Sequence, residues 1–367
     1  MSFLSDLVSS VTTAKKRKPG SVLGVDIGSS SLKVVQLRRQ EGRAVLETYG
    51  ELALGPYGGA DVGQATNLPA DKIAETLTDL MREASVNTDD AGISIPFSRS
   101  LLTLIELPRR DNPTEQKTVI EFEARKYIPV PVSEVQLDWF IVPEPVAEGA
   151  QLPAKVKVLL VAVQNDELQQ LQAVITQAHL SASFFEIEIF STIRSVVDEP
   201  VKPVMVLDIG ASATKAYIVE HGVVAMSHNI PQGGQDVTRS IANAQGFTIE
   251  KAETLKKAHG FTPPATDSYD QKSIELIFSR IFDEARRVLT QFETSRRTAV
   301  SGIVLTGGGG VTKALADYAK TFFSVPVTLA DPFAKTDAPA FMRPVLGEIG
   351  PEFAVAVGLA LRKLEDA

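Results

Sequence analysis

The sequence contains no cysteine in 367 residues. This absence excludes disulfide bonds, thiolate metal sites and a cysteine nucleophile, and it fits a reducing compartment. Excess positive charge is also lacking, since the formal net charge is -8, which argues against a dedicated nucleic-acid-binding protein. No apolar run approaches the roughly 20 residues that a membrane-spanning helix needs. The sequence therefore favours a cytoplasmic protein with no nucleic-acid partner.

The length of 367 residues suits two ordinary domains rather than one compact core. Residues 1–20 stand apart, because apolar residues at helical spacing precede a basic run at residues 15–18. A secretory signal would carry its basic residues first. We interpret residues 1–20 as a tail, with an amphipathic helix at a membrane surface as the alternative.

Predicted strands and helices alternate along the chain, which indicates an α/β architecture with covered sheets. An opening strand at residues 22–27 runs into a glycine turn and two further strands, and this pattern returns at residues 204–229. The turns read Asp-Ile-Gly-Ser-Ser-Ser-Leu-Lys from Asp26 and Asp-Ile-Gly-Ala-Ser-Ala-Thr-Lys from Asp208, identical at five of eight positions. Self-similarity of this kind predicts a duplicated domain.

Each Asp-Ile-Gly turn has the composition of a phosphate-binding loop. Glycine lets backbone N–H groups approach phosphate oxygens, and nearby hydroxyl and ammonium groups add donors. Asp26 and Asp208, at strand ends, are candidates to hold the waters of a hydrated Mg²⁺. One such turn is weak evidence because Asp and Gly are common in turns, whereas two copies are much stronger. The predicted phosphate-binding residues are Gly28, Ser29, Ser30, Ser31, Lys33, Gly210, Ala211, Ser212 and Thr214.

A third glycine loop follows a buried strand and precedes a helix near the carboxyl end. Its backbone could lie flat against a purine ring or meet a phosphate, and the predicted adenosine-binding residues are Gly307, Gly308, Gly309 and Gly310. A dinucleotide-binding fold is the rival interpretation, but its Gly-x-Gly-x-x-Gly spacing would need glycine at Thr312 or Lys313. A P-loop is excluded because its signature does not occur.

Two phosphate loops followed by a late adenosine loop resemble the superfamily of actin, sugar kinases and heat-shock ATPases. Within it, residues 24–37 are similar to the opening of the PilM family, the actin-like proteins of type IV pilus assembly and relatives of the FtsA family. Three further segments resemble the same family: Glu-Ala-Arg-Lys-Tyr-Ile-Pro at 123–129, Gly-Gly-Gln-Asp-Val-Thr at 233–238 and Ala-Val-Ala-Val-Gly-Leu-Ala-Leu-Arg at 354–362.

The resemblance implies an actin-like (ribonuclease H-like) fold, in which duplicated α/β domains surround a nucleotide cleft and the first carries a small inserted α+β subdomain. In the implied division, the first core subdomain comprises 21–91 and 166–200 with the helix of 350–367, and the insertion comprises 92–165. The second core subdomain comprises 201–234 and 291–349, and a helical outer subdomain comprises 235–290.

The resemblance also implies ATP and Mg²⁺ as cofactors and a cytoplasmic protein at the inner face of the inner membrane. Its implied partners are pilus motor or platform proteins and the cytoplasmic tail of a PilN-like inner-membrane protein. That tail would lie in a groove between the first core subdomain and the insertion. Homo-oligomerisation is a further possibility.

Whether the chain is an enzyme stays open at this point. ATP hydrolysis needs a group that positions or activates water, and Glu188 is the candidate, with a capping or solvated glutamate as an equally good interpretation. Two alternatives to the pilus adaptor remain: an FtsA-like filament-forming ATPase at the membrane, and a small-molecule kinase, for which no catalytic aspartate loop is evident. Trp139, the single tryptophan, is interpreted as a core residue of the insertion, with a groove-lining role as the alternative.

Overall fold

The computed structural model describes residues 20–143, 153–198, 202–262, 269 and 271–365. The predicted amino-terminal tail, apart from Gly20, and most of the predicted loop at 143–154 lie outside the described residues.

The described residues form strands and helices that alternate along most of the chain. The strands are β1 Ser21–Ile27, β2 Ser31–Gln40, β3 Arg43–Ala53, β4 Asp90–Ile95, β5 Ser100–Pro108, β6 Val135–Ile141, β7 Lys155–Gln164, β8 Ser181–Ile187, β9 Val204–Ile209, β10 Thr214–Glu220, β11 Val223–Ile230, β12 Ile303–Thr306 and β13 Val327–Leu329. The α-helices are α1 Ala70–Glu83, α2 Pro113–Ala124, α3 Asn165–Gln177, α4 Glu188–Val196, α5 Gly234–Gln245, α6 Ile249–His259, α7 Gln271–Arg296, α8 Leu315–Phe322, α9 Arg343–Ile349 and α10 Ala354–Glu365.

Two five-stranded sheets share one topology. Their strand orders are β3-β2-β1-β4-β8 and β11-β10-β9-β12-β13. In each sheet an antiparallel meander of three strands continues into two parallel strands. The first hairpin of each pairs an aspartate with a lysine, Asp26 with Lys33 and Asp208 with Lys215. This repeated register confirms the predicted duplication.

An irregularity in strand pairing is repeated as well. β2 shifts register against β3 between Gln36 and Leu37, and β10 shifts against β11 between Ile218 and Val219. Both positions come three residues after the paired lysine of their hairpin. Bulges increase the local twist of a strand, so both meanders are bent at the same place.

The insertion forms a third sheet, antiparallel and ordered β5-β7-β6. β4 stays in the first sheet up to Ile95, so the strands of the insertion begin only at Ser100, later than the expected boundary at residue 92. α2 supplies Ile120 and Ala124 to the apolar cluster on one face of this sheet. Trp139 packs against that cluster, with the Lys117 ammonium 5.9 Å from its ring centroid.

The last helix returns to the first sheet. α10 packs so closely against β1 and α4 that a β-carbon on Gly24 would lie 1.9 Å from the Ala356 carbonyl oxygen. A β-carbon on Gly358 would lie 1.8 Å from the carbonyl oxygen of Ser191. These contacts explain the small residues in the motif at 354–362, because only glycine allows two backbones to approach this closely.

A buried carboxylate fixes the same helix. Glu186 at the end of β8 accepts from Arg194 at 2.7 and 2.9 Å and from Arg362 at 2.8 Å. Residues Ala340–Leu364 have the length and hydropathy of a membrane span, but 67% of their most apolar window is buried. They therefore serve as interior structure of this fold.

Two helix positions differ from the sequence expectation. The sequence predicts a helix from Phe190 to Asp198, but α4 begins two residues earlier, at Glu188. α9 was not expected at all, because it is only seven residues long and contains Gly347, whereas Pro344 lies in its first turn, where proline is tolerated.

Candidate functional site

The two Asp-Ile-Gly turns have the same backbone geometry. The Gly28 N–H donates to the Ser31 carbonyl over 3.1 Å, and the Gly210 N–H donates to the Ala213 carbonyl over 3.0 Å. A β-carbon on either glycine would lie 2.8 or 2.9 Å from the same carbonyl oxygen. Each turn therefore needs its glycine in order to close.

These turns face each other across the cleft between the two sheets. The Ser212 hydroxyl donates to the Ser29 hydroxyl over 3.1 Å. Within the described residues, no hydrogen bond engages the backbone N–H groups of Ser29, Ser30, Ala211 and Ser212. Converging N–H groups with no protein partner form a concave anion site, so the residues present fit a phosphate group.

A buried lysine joins the two halves beside this anion site. The Lys215 ammonium lies 2.8 Å from Glu188 Oε2 and 3.3 Å from Asp208 Oδ2. Burial alone would lower the pKa of Lys215, but the charges of Asp208 and Glu188 raise it above its ordinary value. Glu188 comes from the first half of the chain and Lys215 from the second, so the ion pair spans the cleft.

Asp26 belongs to the same group of charges. It accepts from the Ser94 hydroxyl over 3.1 Å. Burial raises the pKa of Asp26 to about 6, with Lys33 opposing the rise and Glu188 adding to it. In the described residues no cluster of three or more acidic or histidine side chains can hold a metal directly. Because carboxylates also bind Mg²⁺ through its waters, Asp26 and Asp208 fit an ion held in that indirect way.

Lys33 belongs to a second group of charged side chains in the cleft. Its ammonium donates to the Ser31 hydroxyl over 2.7 Å and lies 2.9 Å from Glu51 Oε1. Burial raises the pKa of the nearby Glu352 to about 7, and the negative charge of Glu51 adds to the rise. Lys257 of α6 acts on both carboxyl groups, so this cluster links the first sheet to the helical region.

The third glycine loop lies against the second Asp-Ile-Gly turn. Gly307 has φ of 81°, and a β-carbon there would lie 2.4 Å from Asp208 Oδ1. The Gly309 N–H donates to the Ile209 carbonyl over 2.7 Å. The predicted phosphate and adenosine loops of the second half are therefore neighbours. The turn continues past Gly310, and α8 begins only at Leu315.

Several residues that complete the site were not among the expected ones. The Gly234 and Gln235 N–H groups donate to the Gly210 and Ala211 carbonyls, each over 2.9 Å. Lys256 donates to the Gly234 carbonyl over 3.1 Å and to Glu253 over 2.6 Å. The two glycines that open the segment at 233–238 are the sequence feature from which this close packing could have been predicted.

The side chain of Thr214, another of the predicted phosphate-binding residues, is engaged within the protein. Its buried hydroxyl donates to the Gln232 carbonyl over 2.8 Å, so it holds the neighbouring backbone. Lys215, the next residue, is the one whose side chain reaches the charged group.

A second concave feature lies between the insertion and α3, the helix that packs on the first sheet. It is a groove of about 540 Å³, bordered by the outer face of α3 and by edge strand β6. Among the described residues that line it none is charged, and amides predominate. The lining residues are Gln136, Asn165, Leu168, Gln169, Gln172, Ala173, Thr176 and Gln177. Trp139 is not among them, and in the pleat of β6 it points to the face opposite Gln136.

Comparison with known proteins identifies the family of this fold. The family described as type IV pilus assembly protein PilM matches residues 24–364. A solved PilM-PilN type IV pilus biogenesis complex superposes with a TM-score of 0.79 at 25% identity, covering 94% of this chain and 98% of that one.

More distant relatives share the architecture. The cell division protein FtsA of Neisseria meningitidis is 24% identical over 356 residues, which span 86% of this chain and 84% of FtsA. MreB5 of Spiroplasma citri, solved with AMPPNP, has a TM-score of 0.53 at 12% identity, covering 95% of this chain and 98% of that one. Because the family match spans residues 24–364 and the duplicated sheets superpose on the solved PilM, the chain belongs to the PilM family of actin-like type IV pilus assembly proteins.

Proposed function

We propose that this protein is a nucleotide-loaded cytoplasmic adaptor of type IV pilus assembly, or of a related secretion system, at the inner face of the inner membrane. It binds ATP with Mg²⁺ in the cleft and the cytoplasmic tail of a PilN-like membrane protein in the groove between α3 and β6. Through that tail it joins the membrane complex to pilus motor or platform proteins.

The nucleotide part of the proposal is supported by the paired loops. Gly28, Ser29, Ser30 and Ser31 face Gly210, Ala211 and Ser212 across a contact of 3.1 Å between Ser29 and Ser212. Lys33 and Lys215 bring positive charge to the two loops, and Gly307 to Gly310 offer a flat backbone surface for adenosine. Bound Mg²⁺ would supply charge neutralisation for the phosphates, with Asp26 and Asp208 holding its waters.

The groove is the observation that carries the partner proposal. Among the described residues β6 pairs only with β7, so its other edge, next to the groove, has no strand partner there and offers backbone groups to an extended peptide, apart from the Trp139 N–H, which donates to Asp138. Main-chain hydrogen bonds to an exposed strand edge give affinity for a peptide, and adjacent side-chain pockets give specificity. The amide side chains of the lining can hydrogen-bond the main chain of an extended tail, and Leu168 and Ala173 offer apolar contact to its side chains. The solved relative is a complex of PilM with PilN.

Binding of the tail can be tested by fluorescence polarisation with a labelled synthetic peptide. The probe is the cytoplasmic segment of the PilN-like protein encoded in the same genome. Ala173→Arg places a long charged side chain in the groove and should weaken binding by about tenfold or more, equivalent to ~1.4 kcal/mol. Ala244→Arg, on an exposed position of α5, is the matched control and should bind like the wild type.

Equal affinity of the Ala173→Arg and Ala244→Arg variants would place the peptide elsewhere. Nucleotide binding is tested separately by equilibrium dialysis with radiolabelled ATP in the presence and absence of Mg²⁺. A wild-type protein that retains no ATP would remove the nucleotide half of the proposal. A filament-forming role like that proposed from the FtsA relatives predicts ATP-dependent pelleting at high speed, and an oligomer of defined size would argue against it.

A further inference from the structure

The two carboxylate oxygens of Glu188 bind groups from different parts of the molecule. Oε1 accepts from the Phe97 backbone N–H over 2.6 Å, and Oε2 accepts from the Lys215 ammonium over 2.8 Å. Phe97 begins the short turn Phe97–Arg99, which connects β4 of the first sheet to β5 of the insertion. Glu188 therefore links the charged cluster at the phosphate loops to the root of the insertion.

The same turn reaches the groove through Arg99. Its guanidinium donates to Gln164 over 3.3 Å and lies 3.6 Å from Glu167 in the first turn of α3. Asn165 and Leu168, next to these two residues in sequence, line the groove. A short series of direct contacts thus runs from Lys215 through Glu188, Phe97 and Arg99 to the amino-terminal end of α3.

Lys215 is the member of this series that a nucleotide would affect first. A β-carbon on Gly210 would lie 3.9 Å from its ammonium nitrogen, so the charge lies beside the second phosphate loop. The ammonium is buried and its pKa is raised, so it stays positively charged. A phosphate group bound at the loop would compete with Glu188 for this cation, because both are anions within its reach.

We propose that Lys215 is a positioning residue that couples the phosphate site to the groove, by holding Glu188 and through it the Phe97–Arg99 turn. This inference rests on the proposed nucleotide and groove functions and names how one site regulates the other. When phosphate draws the ammonium away, Glu188 is left with the Phe97 N–H as its partner, and the turn and α3 adjust. Coupling by this route requires that the contact have two arrangements, each favoured by a different occupant.

The chain carries its own reporter for this coupling. Trp139 is its single tryptophan; it lies in β6, the strand that borders the groove, with the Lys117 ammonium 5.9 Å from its ring. Indole emission changes when such a charge moves relative to the ring, so it reports movement within the insertion. The measurement does not require that the partner protein be identified. Emission is recorded while Mg·ATP is titrated, and equilibrium dialysis under the same conditions gives the dissociation constant independently.

The wild-type protein should show a saturable change in Trp139 emission whose midpoint equals the dissociation constant from dialysis. Arg99→Ala should bind ATP within about twofold of the wild type and lose most of the emission change. Lys215→Met should lose the change at ATP concentrations that saturate it by dialysis, and Lys215→Arg should restore it. Lys320→Met, which removes an exposed lysine on α8, should behave like the wild type.

The outcomes separate the inference from the function on which it rests. ATP binding without any emission change in the wild type would overturn the coupling and leave the nucleotide site in place. A full emission change in Arg99→Ala and Lys215→Met would also overturn it. No ATP binding by the wild type would instead remove the proposed function itself. If Lys215→Met does not fold, Arg99→Ala decides the question.

Discussion

The Ser212 hydroxyl donates to the Ser29 hydroxyl over 3.1 Å, although the two serines are 183 positions apart in the chain. Each belongs to a glycine turn at the end of the first strand of its sheet. One anionic group can therefore be contacted by both turns at once. Nucleotide affinity then depends on both halves of the chain, and a variant of either loop should weaken it.

The third glycine loop provides the sharpest test of the site. Gly307→Ala would put a β-carbon 2.4 Å from Asp208 Oδ1 at a backbone φ of 81°. A left-handed conformation costs a non-glycine residue about 1–2 kcal/mol, and the displaced Asp208 carboxylate adds to the loss. We expect ATP affinity to fall by more than tenfold in equilibrium dialysis, with a modest loss of thermal stability.

Gly308→Ala is the folding control for this substitution, because a β-carbon there meets nothing within 4 Å. Its thermal midpoint should equal that of the wild type. Unchanged ATP affinity in Gly307→Ala would mean that the loop does not form part of the nucleotide site.

The buried Glu186 carboxylate should be a large contributor to stability. Glu186→Ala leaves Arg194 and Arg362 facing each other without the carboxylate that both contact. Removing one partner of a buried ion pair costs about 3–5 kcal/mol, measured here by urea denaturation. Glu284→Ala, which breaks an exposed pair with Arg287 on α7, should change stability by less than about 1 kcal/mol. A Glu186 variant as stable as the Glu284 variant would contradict the assigned role.

Glu352 should make the stability of the protein depend on pH. Burial first, and then the charge of Glu51, raise the pKa of Glu352 from 4.5 to about 7. Between these values the folded protein retains a proton that the unfolded chain has lost, so stability falls as pH rises through this window. Glu352→Gln removes the titration and should be more stable than the wild type at pH 8 by about 1–2 kcal/mol.

Urea midpoints at pH 5 and pH 8 give the measurement for Glu352. Glu348→Gln, an exposed position on α9, controls for the loss of one negative charge and should retain the wild-type pH dependence. A Glu352→Gln variant that loses stability between pH 5 and pH 8 as steeply as the wild type would exclude Glu352 as the responsible group.

Close packing of α10 makes Gly358 intolerant of substitution. Gly358→Ala would force a β-carbon to within 1.8 Å of the Ser191 carbonyl oxygen, and relief requires that α10 move away from α4. Overpacking of a rigid contact costs about 2–3 kcal/mol. Gly347→Ala in α9, where a β-carbon meets nothing, should instead raise stability by about 0.5 kcal/mol through helix propensity. Thermal midpoints of the two variants should therefore shift in opposite directions.

The fold was largely predictable because its main signals are local. Asp26 and Asp208 open motifs whose turns depend on residues adjacent in the chain, and the repeat predicted the duplicated sheets. α9 could not be predicted, because burial of Leu346 in the apolar cluster beside the first sheet outweighs the effect of Gly347 on helix propensity. The boundaries of the four implied subdomains stay predictions.

The site was predictable only where it depends on those turns. The spacing of Lys215 from Asp208 equals that of Lys33 from Asp26. The duplication therefore indicated Lys215 as a site residue, in addition to the predicted Thr214. The contact of Glu188 with Phe97 joins residues 91 positions apart, and no local pattern predicts it. The role of Glu188 in hydrolysis remains a proposal. The groove arises because α3 and Gln136 of β6 lie on its two sides in the fold, an arrangement that the sequence alone does not specify.

The return of α10 to the first sheet has a consequence for biosynthesis. Val22, Val35 and Leu37 are buried against Ala356, Val357 and Ala360, so one face of the amino-terminal sheet is completed by residues translated after the whole second sheet. Domains otherwise tend to fold in order as they leave the ribosome. While the second sheet is being synthesised, this apolar face remains available to chaperones. A chain whose translation stops before Ala354 should therefore accumulate in aggregates or be degraded.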